Sequence, residues 1–174
     1  VTSLDSYLSY TGNFSDVPSA IAVSDANPFF ALIASPLAVH YDSDGNQEVI
    51  PLYIQNFSDP SRAVTRAISD QINIPVDMFM EDTQSAEAWS IAIAKTYWSH
   101  SDAAILIQND EIGYTLGVIA TPIASYLSIP VFVTDGANNS VQALLNDLGV
   151  KLTFVCGDTL KGYGTTLRFT DIDD

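Results

Sequence analysis

Apolar residues along this chain come in short blocks separated by polar loops. Residues 20–23, Ala20-Ile21-Ala22-Val23, form a continuous apolar run closed by Ser24-Asp25, which predicts a buried strand. In residues 29–40, Ala31, Ala34 and Ala38 recur at helical spacing and let a helix lie close on a sheet. Pro36 admits two readings: Ser35 caps a helix that starts at Pro36, or Pro36 kinks a longer one. Two apolar turns precede it, which favours the longer helix. Asp42-Ser43-Asp44-Gly45-Asn46 is a turn signal, and a strand follows over 49–54. Asp59-Pro60-Ser61 opens a helix with Arg62 and Arg66 on one face and Ala63, Ile68 and Ile72 as apolar positions; a strand over 74–80 comes next.

A helix starting at Asp82 or Thr83 and ending near Trp98 is expected to be the longest. Its apolar residues surround most of the circumference, so it is sandwiched or faces a partner. Residues 103–107 are a strand, the partner of 20–23. Residues 109–135 read as loop, small-residue helix, short break and buried strand. A helix over 140–148 ends at Gly149, a fitting left-handed cap. The last core strand covers 151–156, a loop 157–164 and an edge strand 165–169. Residues 1–19 keep no period. Their aromatics Tyr7, Tyr10 and Phe14 predict an extended arm that docks on its own domain or on a neighbouring subunit.

The chain contains this pattern twice. Ala34-Ser35-Pro36-Leu37-Ala38 matches Ala120-Thr121-Pro122-Ile123-Ala124 at an offset of 86 positions, and Ile50-Pro51-Leu52-Tyr53-Ile54 matches Ile129-Pro130-Val131-Phe132-Val133 at an offset of 79. The first copy therefore carries about seven extra residues between helix and strand, in the polar segment 41–47. Strands alternate with helices and are apolar throughout, the pattern of a parallel sheet covered on both faces. The predicted fold is a single α/β domain, a three-layer Rossmann-like parallel sheet built from two related βαβαβ halves. The arm is 1–19, the halves 20–80 and 81–164, and a short strand and acidic tail fill 165–174.

Charge narrows the function classes. The 174 residues carry 21 acidic and 6 basic side chains, a net charge of −15. Such a surface repels phosphate backbones and anionic lipids, so no nucleic-acid partner is expected. No apolar run is long enough to span a bilayer, so no membrane insertion is expected. No basic segment followed by an apolar one opens the chain, and Val1 at its start fits a processed mature product or a trimmed chain. The lone Cys156 reads as a buried small hydrophobe or as an intersubunit disulfide partner. Asn13, Asn56 and Asn138 begin N-x-S sequons in expected loops and are candidate N-glycosylation sites.

The chemistry that the residues offer is sparse. Asp42, Asp44, Asn46 and Glu48 place hard oxygen ligands in one loop, which suits calcium, although the glycine is misplaced for an EF-hand. Asp171, Asp173 and Asp174 offer further ligands at a subunit contact. The loop 157–164 lacks the Lys-Ser/Thr of a phosphate loop and reads as a turn. His40 and His100 stand near no nucleophile-elbow motif, so no hydrolase is expected. The strand ends at Ser24, Asp25, Asn109, Asp110, Glu111, Thr134 and Asp135 are expected to converge where open α/β sheets bind ligands; capping of helices is the equally good alternative.

Several stretches resemble the type 2 cell-wall-binding repeat of bacterial and archaeal surface proteins. They are Ser85-Ala86-Glu87-Ala88-Trp89, Ala104-Ile105-Leu106-Ile107, Gly113-Tyr114-Thr115-Leu116 through Pro122-Ile123-Ala124, Ile129-Pro130-Val131-Phe132-Val133-Thr134 and Phe154-Val155-Cys156-Gly157. The resemblance covers residues 82–158, with a fainter copy over 20–80. It implies Rossmann-like units that associate and hold surface proteins to wall polymers.

The expected function is that of a secreted, non-enzymatic cell-envelope protein that assembles with itself into a surface layer, sheath or filament. Tyr7, Tyr10, Phe14, Trp89, Tyr97 and Trp98 are the expected assembly residues, and no cofactor beyond calcium is implied. A wall-polymer or carbohydrate-binding module is the first alternative. A Rossmann-like small-ligand binder or enzyme is the second.

Overall fold

A computed structural model describes residues 9–42, 44–71, 73–136 and 139–171. Tyr7, Ile72, Asn138, Asp173 and Asp174, singled out above, lie outside the described residues. In chain order the elements are β1 (Gly12–Phe14), β2 (Ile21–Ser24), α1 (Phe29–Ala38), β3 (Val39–Tyr41), β4 (Gln47–Val49), β5 (Leu52–Gln55), α2 (Arg62–Asp70) and β6 (Met78–Met80). The second half continues with α3 (Ala86–Tyr97), β7 (Trp98–Ser101), β8 (Ala103–Gln108), α4 (Glu111–Leu127), β9 (Val131–Thr134), α5 (Asn139–Leu148), β10 (Leu152–Cys156) and β11 (Thr165–Phe169).

The fold is mixed α/β, with parallel sheets flanked by helices in the layering of a Rossmann-like domain. Each half has its own sheet, ordered β5-β2-β6 in the first and β9-β8-β10-β11 in the second. Strand for strand the halves repeat: a central strand, a helix to one edge, and a second helix back to the other side. The matched Ile-Pro motifs fall in register, with Leu52 opposite Ile21 and Val131 opposite Ile105. Even one backbone bond recurs. Ile21 N–H donates to the Pro51 carbonyl at 2.8 Å, and Ile105 N–H donates to the Pro130 carbonyl at 3.0 Å. β2 and β8, expected as partners, are equivalent but not neighbours. α1 separates their sheets: it touches β2 and β5 of its own half and β9 of the other. Its burial on nearly every side follows from that position.

Both prolines lie inside their helices, so the longer-helix reading holds. Each withholds the N–H that would serve the carbonyl four residues earlier, at Leu32 and Val118. The preceding hydroxyl folds back in each case. Ser35 Oγ donates to the Ala31 carbonyl at 2.7 Å and Thr121 Oγ1 to the Gly117 carbonyl at 2.6 Å. α1 and α4 pack together, and Ser125 Oγ donates across to the Ser35 carbonyl at 3.3 Å.

Four further expectations change. The longest helix is α4, at 17 residues, because Ser85 caps α3 and Trp98 already begins β7. The arm is partly a strand: β1 pairs antiparallel with β7. The seven extra residues build a hairpin, in which β3 pairs antiparallel with β4. The expected strand over 74–80 shortens to β6, whose start is held by Asp77 accepting Ser19 N–H at 2.9 Å.

The halves differ most in their second helix. α5 buries Val141, Leu145 and Leu148, whereas α2 buries no residue. Ile54 on β5 and Phe79 on β6 are about half exposed, on opposite faces of the first sheet.

Candidate functional site

The carboxyl edges of two parallel sheets are the places where such folds put ligands. Because the sheets are separate, the seven expected ligand residues do not converge. Ser24 and Asp25 stand at the end of β2 in the first half. Asn109, Asp110, Glu111, Thr134 and Asp135 stand at the ends of β8 and β9 in the second.

Two members of the second-half cluster, Asp110 and Thr134, are tied up internally, while Asn109, Glu111 and Asp135 are exposed. Asp110 caps α4 by accepting Gly113 N–H at 2.7 Å, and Gln108 Nε2 donates to its other oxygen. Gln108 Oε1 accepts from Thr159 N–H at 3.1 Å and from its hydroxyl at 2.9 Å. Thr134 is buried and donates to Glu87 at 2.6 Å. Capping, the alternative reading, accounts for Asp110.

The first-half cluster is open. A crevice of about 370 Å³ runs along the ends of β2, β5 and β6. Ser24, Asp25, Asn56, Phe57, Glu81 and Asp82 are among its walls. Phe57 is held by the Phe79 ring at 6.4 Å between centroids, and Asn56 Oδ1 accepts Ser58 N–H at 2.9 Å. The crevice thus combines an aromatic wall with carboxylate, amide and hydroxyl groups. The Asn56, Phe57, Glu81 and Asp82 contributions to it were not legible without the β5–β2–β6 order.

The expected calcium ligands are not drawn together in the structure. Asp42 turns its carboxylate onto its own loop, accepting Asp44 N–H at 2.9 Å, Asn46 N–H at 2.8 Å and Asn46 Nδ2 at 2.9 Å. The Asn46 side chain comes first among the causes that hold the Asp42 carboxyl below its ordinary value. Glu48 lies opposite His40 in the hairpin ladder. Among the described residues no group of three or more His, Cys, Asp or Glu is placed to hold a metal ion. The loop is a self-capped turn, with Gly45 at φ +80.

One of the expected assembly aromatics, Trp98, is a core residue of this chain, and Phe14 is half-buried against it. Trp98 is 3% exposed and donates Nε1–H to the Ser128 carbonyl at 2.8 Å. Phe14 sits between Trp98 and His40, with centroids at 4.8 and 4.6 Å. The described part of the arm, from residue 9 on, therefore docks on its own domain, because these rings fill the space beside β7. Tyr10, Trp89 and Tyr97 are half-buried against the same core, and Trp89 Nε1–H is given to the Glu81 carbonyl at 3.0 Å. Cys156 is fully buried in β10, and burial pushes its thiol up to about 12. An intersubunit disulfide there is excluded in the folded chain. Asn13 and Asn56 are exposed.

The exposed apolar surface lies elsewhere. On α4, Ile112, Ile119 and Tyr126 are each more than half exposed and fall seven residues apart, with Val118 at 46% beside them. A groove of about 600 Å³ opens along that flank, between α4, α1 and the β3–β4 hairpin. Leu32, Val39, Ile50, Val118, Pro122 and Tyr126 supply much of its wall. The seven-residue spacing is present in the sequence, outside the matched repeat motifs. No helix among the described residues is long and apolar enough to cross a membrane. No family model, curated protein or solved structure matches the chain.

Proposed function

We propose that this chain is a secreted, non-enzymatic structural protein of the cell envelope that assembles with copies of itself into a layer, sheath or filament. The observation that carries the reading is exposed apolar surface on both halves. Ile112, Ile119 and Tyr126 supply it on α4, and Ile54 and Phe79 supply it on the two edge strands of the first sheet. The α4 patch alone makes a pair; a further contact at an edge strand of the first sheet would let a chain of contacts grow. An unpaired sheet edge adds backbone donors and acceptors to such a contact. The resemblance to cell-wall-binding repeats supports the envelope location, and the charge of −15 suits a salt-exposed surface. Sedimentation velocity over a concentration series, with and without calcium, is expected to resolve species larger than the monomer. A single monomeric boundary throughout overturns the proposal.

Wall-polymer or carbohydrate binding is the second reading, favoured by the crevice at the end of the first sheet. The aromatic wall of Phe57 suits the apolar face of a sugar ring, and Asp25, Asn56 and Asp82 suit its hydroxyls. Calorimetric titration with neutral oligosaccharides separates the readings, since assembly alone needs no glycan. Heat that vanishes in Asp82→Ala supports this reading, and no heat at millimolar sugar removes it.

A further inference from the structure

The contact surface on α4 has features that select its occupant. Residues 112–134 contain no Asp, Glu, Lys, Arg or His, in a chain whose net charge is −15. A basic partner would seek the acidic surface and find nothing to pair with here. A lipid surface would call for Lys or Arg flanking the apolar stripe, and the one charged residue of α4 is Glu111. A second copy of this acidic chain is the partner for which a charge-free face matters most, because everywhere else the two would repel.

The stripe is also self-complementary. Ile112 and Tyr126 lie equally far on either side of Ile119, and all three point outward. A twofold contact places the same patch on both sides, so a stripe symmetric about its centre meets itself when two helices run antiparallel. At 1.5 Å per residue, that arrangement holds the two Glu111 side chains roughly 24 Å apart. This is well beyond the screening length of about 8 Å at physiological salt. The charge that remains at the contact is Glu111 facing the partner copy's acidic hairpin, where Asp42, Asp44 and Glu48 are exposed beside the end of α4. Salt screens that repulsion. A parallel pair would put the two Glu111 side chains together and align the two helix dipoles unfavourably.

We propose that α4 is the contact between two copies of this chain, paired antiparallel about a twofold axis at Ile119, so that Ile112 of one copy meets the partner's Tyr126. The groove beside Val118, Pro122 and Tyr126 then gives the partner's Ile112 an apolar seat. This rests on the self-assembly reading and names one of its contacts.

Single cysteines test the geometry, because the native Cys156 is buried and does not compete. Ile119 is 53% exposed, so its replacement leaves the monomer's core intact. Under mild oxidation the full chain carrying Ile119→Cys is expected to give a disulfide-linked dimer. Ile112→Cys alone is expected to give none, whereas Ile112→Cys mixed with Tyr126→Cys gives a mixed dimer. Ile119→Asp is expected to weaken self-association more than tenfold with an unchanged far-ultraviolet spectrum. Cross-linking of Ile112→Cys with itself as readily as Ile119→Cys overturns the antiparallel pairing. If the wild-type chain assembles but Ile119→Asp assembles equally well, this contact is wrong and assembly uses other surfaces. A wild-type chain that is monomeric throughout sinks both readings. Flotation of that monomer with phosphatidylcholine vesicles would assign the stripe to lipid and overturn the proposal as well.

Discussion

Ser128 shows how single residues tie the two halves together. It is the one described non-glycine residue at positive φ, at 57°, where it caps α4. Its hydroxyl donates to the Tyr41 carbonyl at 3.0 Å and accepts Tyr41 N–H at 3.2 Å, which fastens the hairpin to the end of α4. Its carbonyl takes the indole N–H of Trp98. Trp98→Phe keeps a ring against Phe14 but leaves that buried carbonyl without its donor, at an expected cost of about 1–3 kcal/mol. Chemical denaturation should read this as a lower midpoint with unchanged slope. Two carboxylates add a pH dependence. Burial alone would raise Asp77, but the backbone N–H groups of Ser19 and Ala20 outweigh it and hold it low. The Lys151 ammonium, at 2.8 Å, leads the causes that lower Asp102. Each folded value lies below the ordinary 3.8, so between the two values the folded chain binds fewer protons than the unfolded one. Their stabilisation is whole above that ordinary value and falls away as pH drops through the depressed values. Asp77→Asn should flatten the acid limb of a stability–pH curve; an unchanged limb would refute the assignment.

At the scale of elements, two glycines of α4 look alike in sequence and differ in what surrounds them. A Cβ at Gly113 would run into the backbone carbonyl of Gln108, which cannot move without breaking β8. A Cβ at Gly117 would meet the tip of Ile107 at 2.7 Å, a side-chain methyl with some freedom to turn. Alanine in a helix gains up to about 1 kcal/mol over glycine, whereas overpacking a core costs about 1–3 kcal/mol. Gly113→Ala is therefore expected to destabilise by the larger amount and Gly117→Ala by less, since there the buried tips of Ile107 and Leu32 must shift rather than the backbone. Equal melting shifts would contradict that difference. The same contrast explains what the sequence could and could not reveal. The Ile-Pro strands and the Pro-containing helices were legible because identical local motifs impose identical registers. β1, β7 and the β3–β4 hairpin were not, because three- and four-residue strands carry no period of their own. Trp98 read as the end of a helix because its apolar character suits a helix face as well as a buried strand. The division of the ligand loops between two sheets was invisible for another reason. It depends on α1 lying between the sheets, a long-range fact that no window of residues contains.

At the scale of the molecule, charge and apolar surface oppose each other. A net charge of −15 on 174 residues favours separation, while the uncharged α4 stripe and the edges of the first sheet favour contact. Which one dominates depends on ionic strength, because salt screens the repulsion between whole chains and leaves the burial of Ile112, Ile119 and Tyr126 little changed. Self-association is thus expected to strengthen as sodium chloride rises from about 20 mM, where the screening length is of order 20 Å, to about 0.5 M, where it is only a few ångströms. Light scattering across that range measures it directly. An assembly held by ion pairs would do the opposite and dissociate, and that outcome would move the contact off α4, since its stripe has no charge to pair. Ile119→Asp supplies the internal control. It places a carboxylate at the proposed twofold axis, where two copies of it would meet. Its residual association should therefore depend on salt more steeply than that of the unmodified chain.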